Sequence, residues 1–193
     1  MLNWGEVMSQ DDRIREGEFR SWSFPPEKIR EWTRVFLTDA GYELLPPDYI
    51  GFVLPAIYGR RKEGERTYDI VGFDAPDMET STEALAKLAA ARAVLGDRAD
   101  YALLLPPVNE YLLLEYFRQD RGRWYLAMKD LKIMVWLINP SEEYVWCITG
   151  EPLDKTLCEF FVQGKISADF LIMREINQLL WEDELREMQN ERR

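Results

Sequence analysis

"DYALLLPP", residues 100–107, is the stretch that decides the fold. Between Asp100 and two prolines, Tyr101 to Leu105 run without a polar residue. A strand wet on one face alternates apolar with polar side chains, whereas an unbroken short run is how a strand buried on both faces reads. Immediately before it, "STEALAKLAAARAVLG" (81–96) has the marks of a helix. Ser81 or Thr82 stands at its start as a cap, Leu85, Leu88 and Leu95 fall inward, and Gly96 supplies the stop. Before that helix, "TYDIVGFD" (67–74) has a strand pattern. Strand, helix and doubly buried strand make a crossover unit, which implies a partly parallel sheet with helices on its faces.

Working outward, "SFPPEKIREWTRVFLTDAG" (23–41) reads as a helix with Ser23 near its N-cap and prolines in the first turn. Ile29, Trp32, Phe36 and Ala40 share one stripe, and Gly41 ends it. "YELL" is a short strand. "FVLPAIYGRRKEGERTYDIVGFD" (52–74) reads as two strands joined by a charged turn containing Gly64. "NEYLLLEYFRQ" reads as a helix capped by Asn109. "LKIMVWLINP" and "EYVWCITG" read as a hairpin turning at Asn139 and Pro140. "LDKTLCEFF" and "SADFLIMREINQLLWEDELREMQ" read as helices, the second with Phe170, Met173, Ile176 and Leu180 on one side. The expected fold is therefore α/β, a mixed sheet with partly parallel strands flanked by helices. It forms a single domain over residues 1–193, with a core at about 24–150 and a C-terminal helical extension at about 151–193.

Composition narrows the chemistry. A chain of 193 residues can bury roughly 70% of its unfolded surface without disulfide or metal staples. Cys147 and Cys158 are expected as reduced thiols in a cytoplasmic protein rather than as a disulfide. No apolar run approaches the length of a membrane span, and the first residues lack the basic head and apolar stretch of a signal peptide. The net charge of −11 disfavours non-specific capture of nucleic acid. The chain contains no histidine, which removes Ser-His-Asp and Cys-His catalysis and His-ligated zinc. Neither a P-loop nor a GxGxxG motif occurs. Carboxylate chemistry remains, with Mg²⁺ or Mn²⁺ held by Asp and Glu and a lysine to assist.

The order helix, strand, hairpin strands, helix, buried strand, helix, strand resembles the restriction-endonuclease-like (PD-(D/E)xK) superfamily over about residues 24–117. The resemblance implies a metal-binding pair, an Asp and then an Asp or Glu, with a lysine two positions beyond the second. Pro46-Pro47-Asp48 matches the first half and Asp69-Ile70-Val71 the second, but Val71 stands where the lysine belongs. The candidate site under a nuclease reading is Asp48, Asp69 and Asp74 as metal ligands for Mg²⁺ or Mn²⁺, with Lys87 as the recruited cation. Side chains alternate along a strand, so Asp69 shares a face with Val71 and Phe73, and Asp74 lies on the other. Both could grip one ion only if the strand bends at Gly72. Lys87 also has a plain role, because Glu83 lies one helical turn before it.

Two basic clusters, Arg60-Arg61-Lys62-Arg66 and Arg118-Arg121-Arg123 beside Trp124, could meet phosphates and bases. Interrupted by Glu63, Glu65 and Asp120, they read more simply as solvated turns. "LKIMVWLI" belongs either to the sheet's centre or to an interface. Two functions stand. The first is a non-catalytic binding or regulatory protein with a nuclease-like α/β core and no cofactor, which meets a protein partner or a second copy of itself. The second is a divalent-metal nuclease with a rearranged carboxylate site and a nucleic-acid substrate. No membrane role is expected in either.

Overall fold

A computed structural model describes residues 24–46, 48–108, 110–118, 122–162, 172–178 and 181–182. The doubly buried strand is where the sequence places it. Strand β4, Ala99–Leu105, is buried along its whole length and lies between two parallel neighbours, β3 (Arg66–Asp74) and β5 (Ile133–Asn139). Two strands, β1 (Glu43–Leu44) and β2 (Ile57–Glu63), add antiparallel rungs on one side, and β6 (Tyr144–Thr149) adds one on the other. The order across the mixed sheet is β1-β2-β3-β4-β5-β6.

Alternation along the strands divides the core into two layers. Val71 and Phe73 of β3, Tyr101, Leu103 and Leu105 of β4, and Ile133, Val135 and Leu137 of β5 face one way. Helices α2 (Met78–Leu95), α3 (Glu110–Arg118) and α4 (Arg123–Asp130) cover that layer, together with the helical stretch 172–178. Ile70, Ala102, Leu104, Met134, Trp136 and Ile138 face the other way, under α1 (Pro26–Asp39) and the 3₁₀ turn Lys155–Glu159. The strand sequence β3, β4, β5 steps in one direction, and right-handed crossovers then put both connections on the same face. The "LKIMVWLI" run is core: Ile133 to Asn139 is buried throughout.

Local chemistry explains most boundaries and corrects several. Helix α2 starts three residues before the "STEALAK" reading, because Asp77 rather than Ser81 or Thr82 caps it. The Asp77 carboxylate accepts from the Thr80 N–H at 2.8 Å, and the Thr80 hydroxyl accepts from the Asp77 N–H at 3.4 Å. This is a capping box with Thr in the place of the usual Glu or Gln. Ser81 is buried inside the helix. Helix α4 was not foreseen, since Arg121-Gly122-Arg123 reads as a turn. Gly122, at φ +80°, makes that turn and begins the helix, and any Cβ there would strike Ile176 at 2.6 Å. "LDKTLCEFF" is 3₁₀ rather than α-helical and is capped by Asp154. Ser23, Pro47, Asn109, Phe170 and Leu180 lie outside the described residues. Cys147 and Cys158 form no disulfide, and the Cys147 thiol donates to the Thr149 carbonyl at 3.3 Å.

Gly72 does not mark a bulge. Register runs unbroken from Asp69↔Ala99 to Asp74↔Leu104 and from Ile57↔Gly72 to Glu63↔Arg66. A Cβ at Gly72 would stand 3.0 Å from Leu104 and 3.4 Å from Ile57, so the glycine serves close packing. Among the described residues, an irregular register falls between Val135 and Trp136.

Candidate functional site

With β3 straight, Asp69 and Asp74 remain on opposite faces of the sheet, and each meets an arginine. Asp69 sits across the hairpin from Arg60, whose Nε and terminal nitrogen reach its two oxygens at 2.6 and 2.8 Å. The Tyr58 hydroxyl donates to the same carboxylate at 3.1 Å. Asp74 is held from the other layer by Arg30 of α1, at 2.9 and 3.1 Å. Both contacts are two-pronged, the strongest form of carboxylate–guanidinium pairing. The hydrogen bond to Asp69 is the main reason Arg60 is held above its ordinary pKa, and the bond to Asp74 does the same for Arg30.

Asp48 is exposed in the loop between β1 and β2, where its carboxylate accepts from the Tyr49 N–H at 2.7 Å. Lys87 pairs with Glu83 at 2.5 Å on the open side of α2. Neither Asp69 nor Asp74 is therefore presented bare to an ion, and they do not share a face. Among the described residues, no three His, Cys, Asp or Glu side chains are grouped so as to hold a metal ion. The residues present do not fit a divalent cation shared by Asp69 and Asp74, and no metal-dependent step follows from them.

The most elaborate polar cluster lies elsewhere, around Asp154 beyond β6. Arg61 of β2 reaches its two oxygens at 2.5 and 2.6 Å and also donates to the Thr156 hydroxyl at 3.1 Å. The Tyr42 hydroxyl donates to Asp154 at 2.8 Å, and the Thr156 N–H at 3.0 Å. Burial pushes the Asp154 carboxyl up, but Arg61 and Tyr42 outweigh it and leave it below the ordinary value. Beside it, Asp100 at the start of β4 receives the Leu153 N–H on both oxygens, at 2.9 and 3.1 Å. Burial dominates here, and the Asp100 carboxyl is pushed up to about 6. The cluster ties four segments, at Tyr42, Arg61, Asp100 and 153–156, together at one end of the sheet. Its carboxylates are buried and its groups mutually satisfied, which suits a clasp better than a reacting centre.

That raised value has a consequence for stability with a definite sign. Between the unfolded carboxyl's 3.8 and about 6, folded Asp100 keeps its proton while the unfolded chain releases it. The folded state binds more protons, so stability falls as pH rises across that window, by up to about 1.4 kcal/mol per unit. Asp154 has its value lowered, and its own opposite contribution is confined to the acid end of the window, so it does not offset the trend between pH 5 and 6. Urea midpoints measured at a series of pH values are expected to be higher near pH 5 than near 7. In Asp100→Asn this component of the slope should vanish.

The sequence reading singled out Arg60 and Arg61 only as members of a basic cluster, and it overlooked Arg30, Tyr42, Tyr58, Asp100 and Asp154. One of these pairings had a signal. Counting back from the Gly64-Glu65 turn sets Glu63 opposite Arg66 and hence Arg60 opposite Asp69. The Arg30–Asp74 and Arg61–Asp154 pairs join residues 44 and 93 positions apart, and no local pattern announces them. In the second basic cluster, Arg118 pairs with Glu115 and Glu175, and Trp124 packs edge-on against Tyr116. Arg121 lies outside the described residues.

No family model matches the chain, and no curated protein matches it. Among solved structures it is similar to the crystal structure of an XisH family protein from Nostoc punctiforme PCC 73102. The identity is 10% over 62% of this chain and 96% of that one, with a TM-score of 0.43. A likeness so distant says nothing of activity. No helix among the described residues is long and apolar enough to cross a membrane.

Proposed function

We propose that this protein is a non-catalytic binding or regulatory protein, built on a restriction-endonuclease-like α/β core and acting through protein contacts. The observation that carries the reading is the pairing of the strand aspartates with arginines. Where a metal nuclease needs carboxylates free to take up a cation, Asp69 and Asp74 each already hold a guanidinium in a two-pronged grip. An incoming Mg²⁺ would have to displace Arg60 and Arg30 and still find its two ligands on opposite faces of the sheet. The position of the assisting lysine belongs to Val71, which is fully buried and carries no charge. Positioned electrostatic groups at such sites are each worth about 10²–10³ in rate.

The nuclease alternative, with Asp48, Asp69, Asp74 and Lys87 around Mg²⁺ or Mn²⁺, is decided by assay. Purified protein incubated with either metal and with single- and double-stranded DNA and RNA is expected to leave every substrate intact. Cleavage that disappears in Asp69→Ala and Asp74→Ala would overturn the binding reading. Cleavage that persists in both would belong to a contaminant.

A further inference from the structure

A crevice of about 200 Å³ opens at the end of the sheet where β5 begins and β6 ends, between helix α4 and the loop that follows β6. Tyr125 and Met128 of α4 and Ile133 and Met134 of β5 form its apolar wall, and none of the four is more than 2% exposed. Methionine side chains adapt to irregular shapes, so two of them in one wall suit a small guest. A cavity of about 150 Å³ takes one benzene ring. The space here therefore admits a single ring or a short branched chain with one small polar group.

The polar lining decides which group that is. Two of its three charges are already matched: Lys132 pairs with Asp97 at 3.1 Å, and Glu151 pairs with Lys155 at 2.8 Å. Lys129, in the last turn of α4, makes no ion pair among the described residues. Asp130 follows it in the chain but does not line the crevice. Thr149 also lines the crevice and is 4% exposed. Its hydroxyl accepts from the Val135 N–H at 3.2 Å, and its own proton has no acceptor among the described residues. A buried donor without an acceptor is costly, and an ammonium without a counter-ion keeps its attraction for a guest. Both groups call for acceptor oxygens, and their single positive charge matches a monoanion. A phosphate would bring further negative charge to a chain that already carries −11, with no second unmatched cation in the lining to meet it.

We propose that this crevice binds a small carboxylate carried on an apolar body. The carboxylate takes the Thr149 proton and the Lys129 ammonium, and the body rests on Met128, Ile133 and Met134. The site stands apart from the binding reading above, and the nuclease assay does not bear on it.

The test follows the methyl signals of the full chain labelled with methyl-carbon-13 methionine. Met128→Leu and Met134→Leu identify the two signals that come from the crevice. Benzoate and isovalerate are the probes, and both are expected to shift these signals saturably, with a Kd on the order of 1 mM for ligands of this size. Benzamide keeps the ring and loses the charge, and should bind about fivefold more weakly, the upper end of what an exposed ion pair contributes. Lys129→Ala should erase that difference by weakening benzoate and leaving benzamide where it was, with the urea midpoint unmoved. Absence of a saturable shift with both acids would overturn the proposal, as would shifts confined to other methionines. Equal affinity for benzoate and benzamide in the wild type would also overturn it, and so would benzoate binding that Lys129→Ala leaves unchanged.

Discussion

Arg61→Ala is expected to lower the unfolding free energy by about 3–5 kcal/mol, measured by urea denaturation at neutral pH. The size follows from what the arginine leaves behind. Asp154 is 1% exposed and Arg61 13%, so the two charges meet with little water to screen them. Removing the guanidinium takes away two short hydrogen bonds to the carboxylate and one to Thr156. The carboxylate then keeps its burial with only the Tyr42 hydroxyl and the Thr156 N–H as donors. An uncompensated buried charge costs far more than the intact pair contributes. For that reason the double variant Arg61→Ala/Asp154→Asn should lose clearly less than the sum of its two single changes. Additive losses would show that the two side chains do not act as one unit. Lys87→Ala, by contrast, breaks a surface pair with Glu83 and should change stability by no more than about 0.5 kcal/mol.

Leu88→Ala is the second large effect, expected near 3 kcal/mol. Leu88 lies in the middle of α2 with none of its surface exposed, within the core layer that also holds Val71, Tyr101 and Leu103. The helix packs on both β3 and β4 across the parallel pair. Truncation removes buried methyl groups, and the surrounding rigid strands can close little of the resulting cavity. A denaturant midpoint that does not move would show that the helix presents another face to the sheet.

These two residues also mark where sequence reading succeeds and where it stops. Leu88 was legible because the information is local. A capped run with apolar positions at helical spacing, followed by an unbroken apolar strand, leaves only one inexpensive arrangement. The helix must cover a parallel sheet, and a strand apolar on both faces must sit inside it. The mixed sheet, the hairpin at Gly64 and the buried "LKIMVWLI" run followed from the same periodicities. Where the local signal was ambiguous, the reading erred locally. "APDMETST" offers several capping residues, and the choice of Asp77 depends on backbone that is extended at that residue.

The polar site is different in kind. Asp69, Asp74 and Asp154 are ordinary aspartates in the sequence, equally suited to a metal, a turn or an ion pair. Which of these each one becomes depends on the nearest charge in space. For Asp69 that charge lies across a hairpin, within reach of a register count from Gly64-Glu65. For Asp74 it comes from a helix 44 residues earlier, and for Asp154 from a strand 93 residues earlier. The exposed Phe52 follows the same rule, since nothing in "DYIGFVLP" says whether Phe52 or Val53 turns inward. Hydrophobic periodicity and capping propensity act over a few residues, so the sequence by itself determined the layers and the strand that lies at their centre. Electrostatic pairing and exposure depend on distances through space that chain separation does not encode. Only the tertiary structure decided which carboxylates were neutralised and which aromatic side chain was left in water.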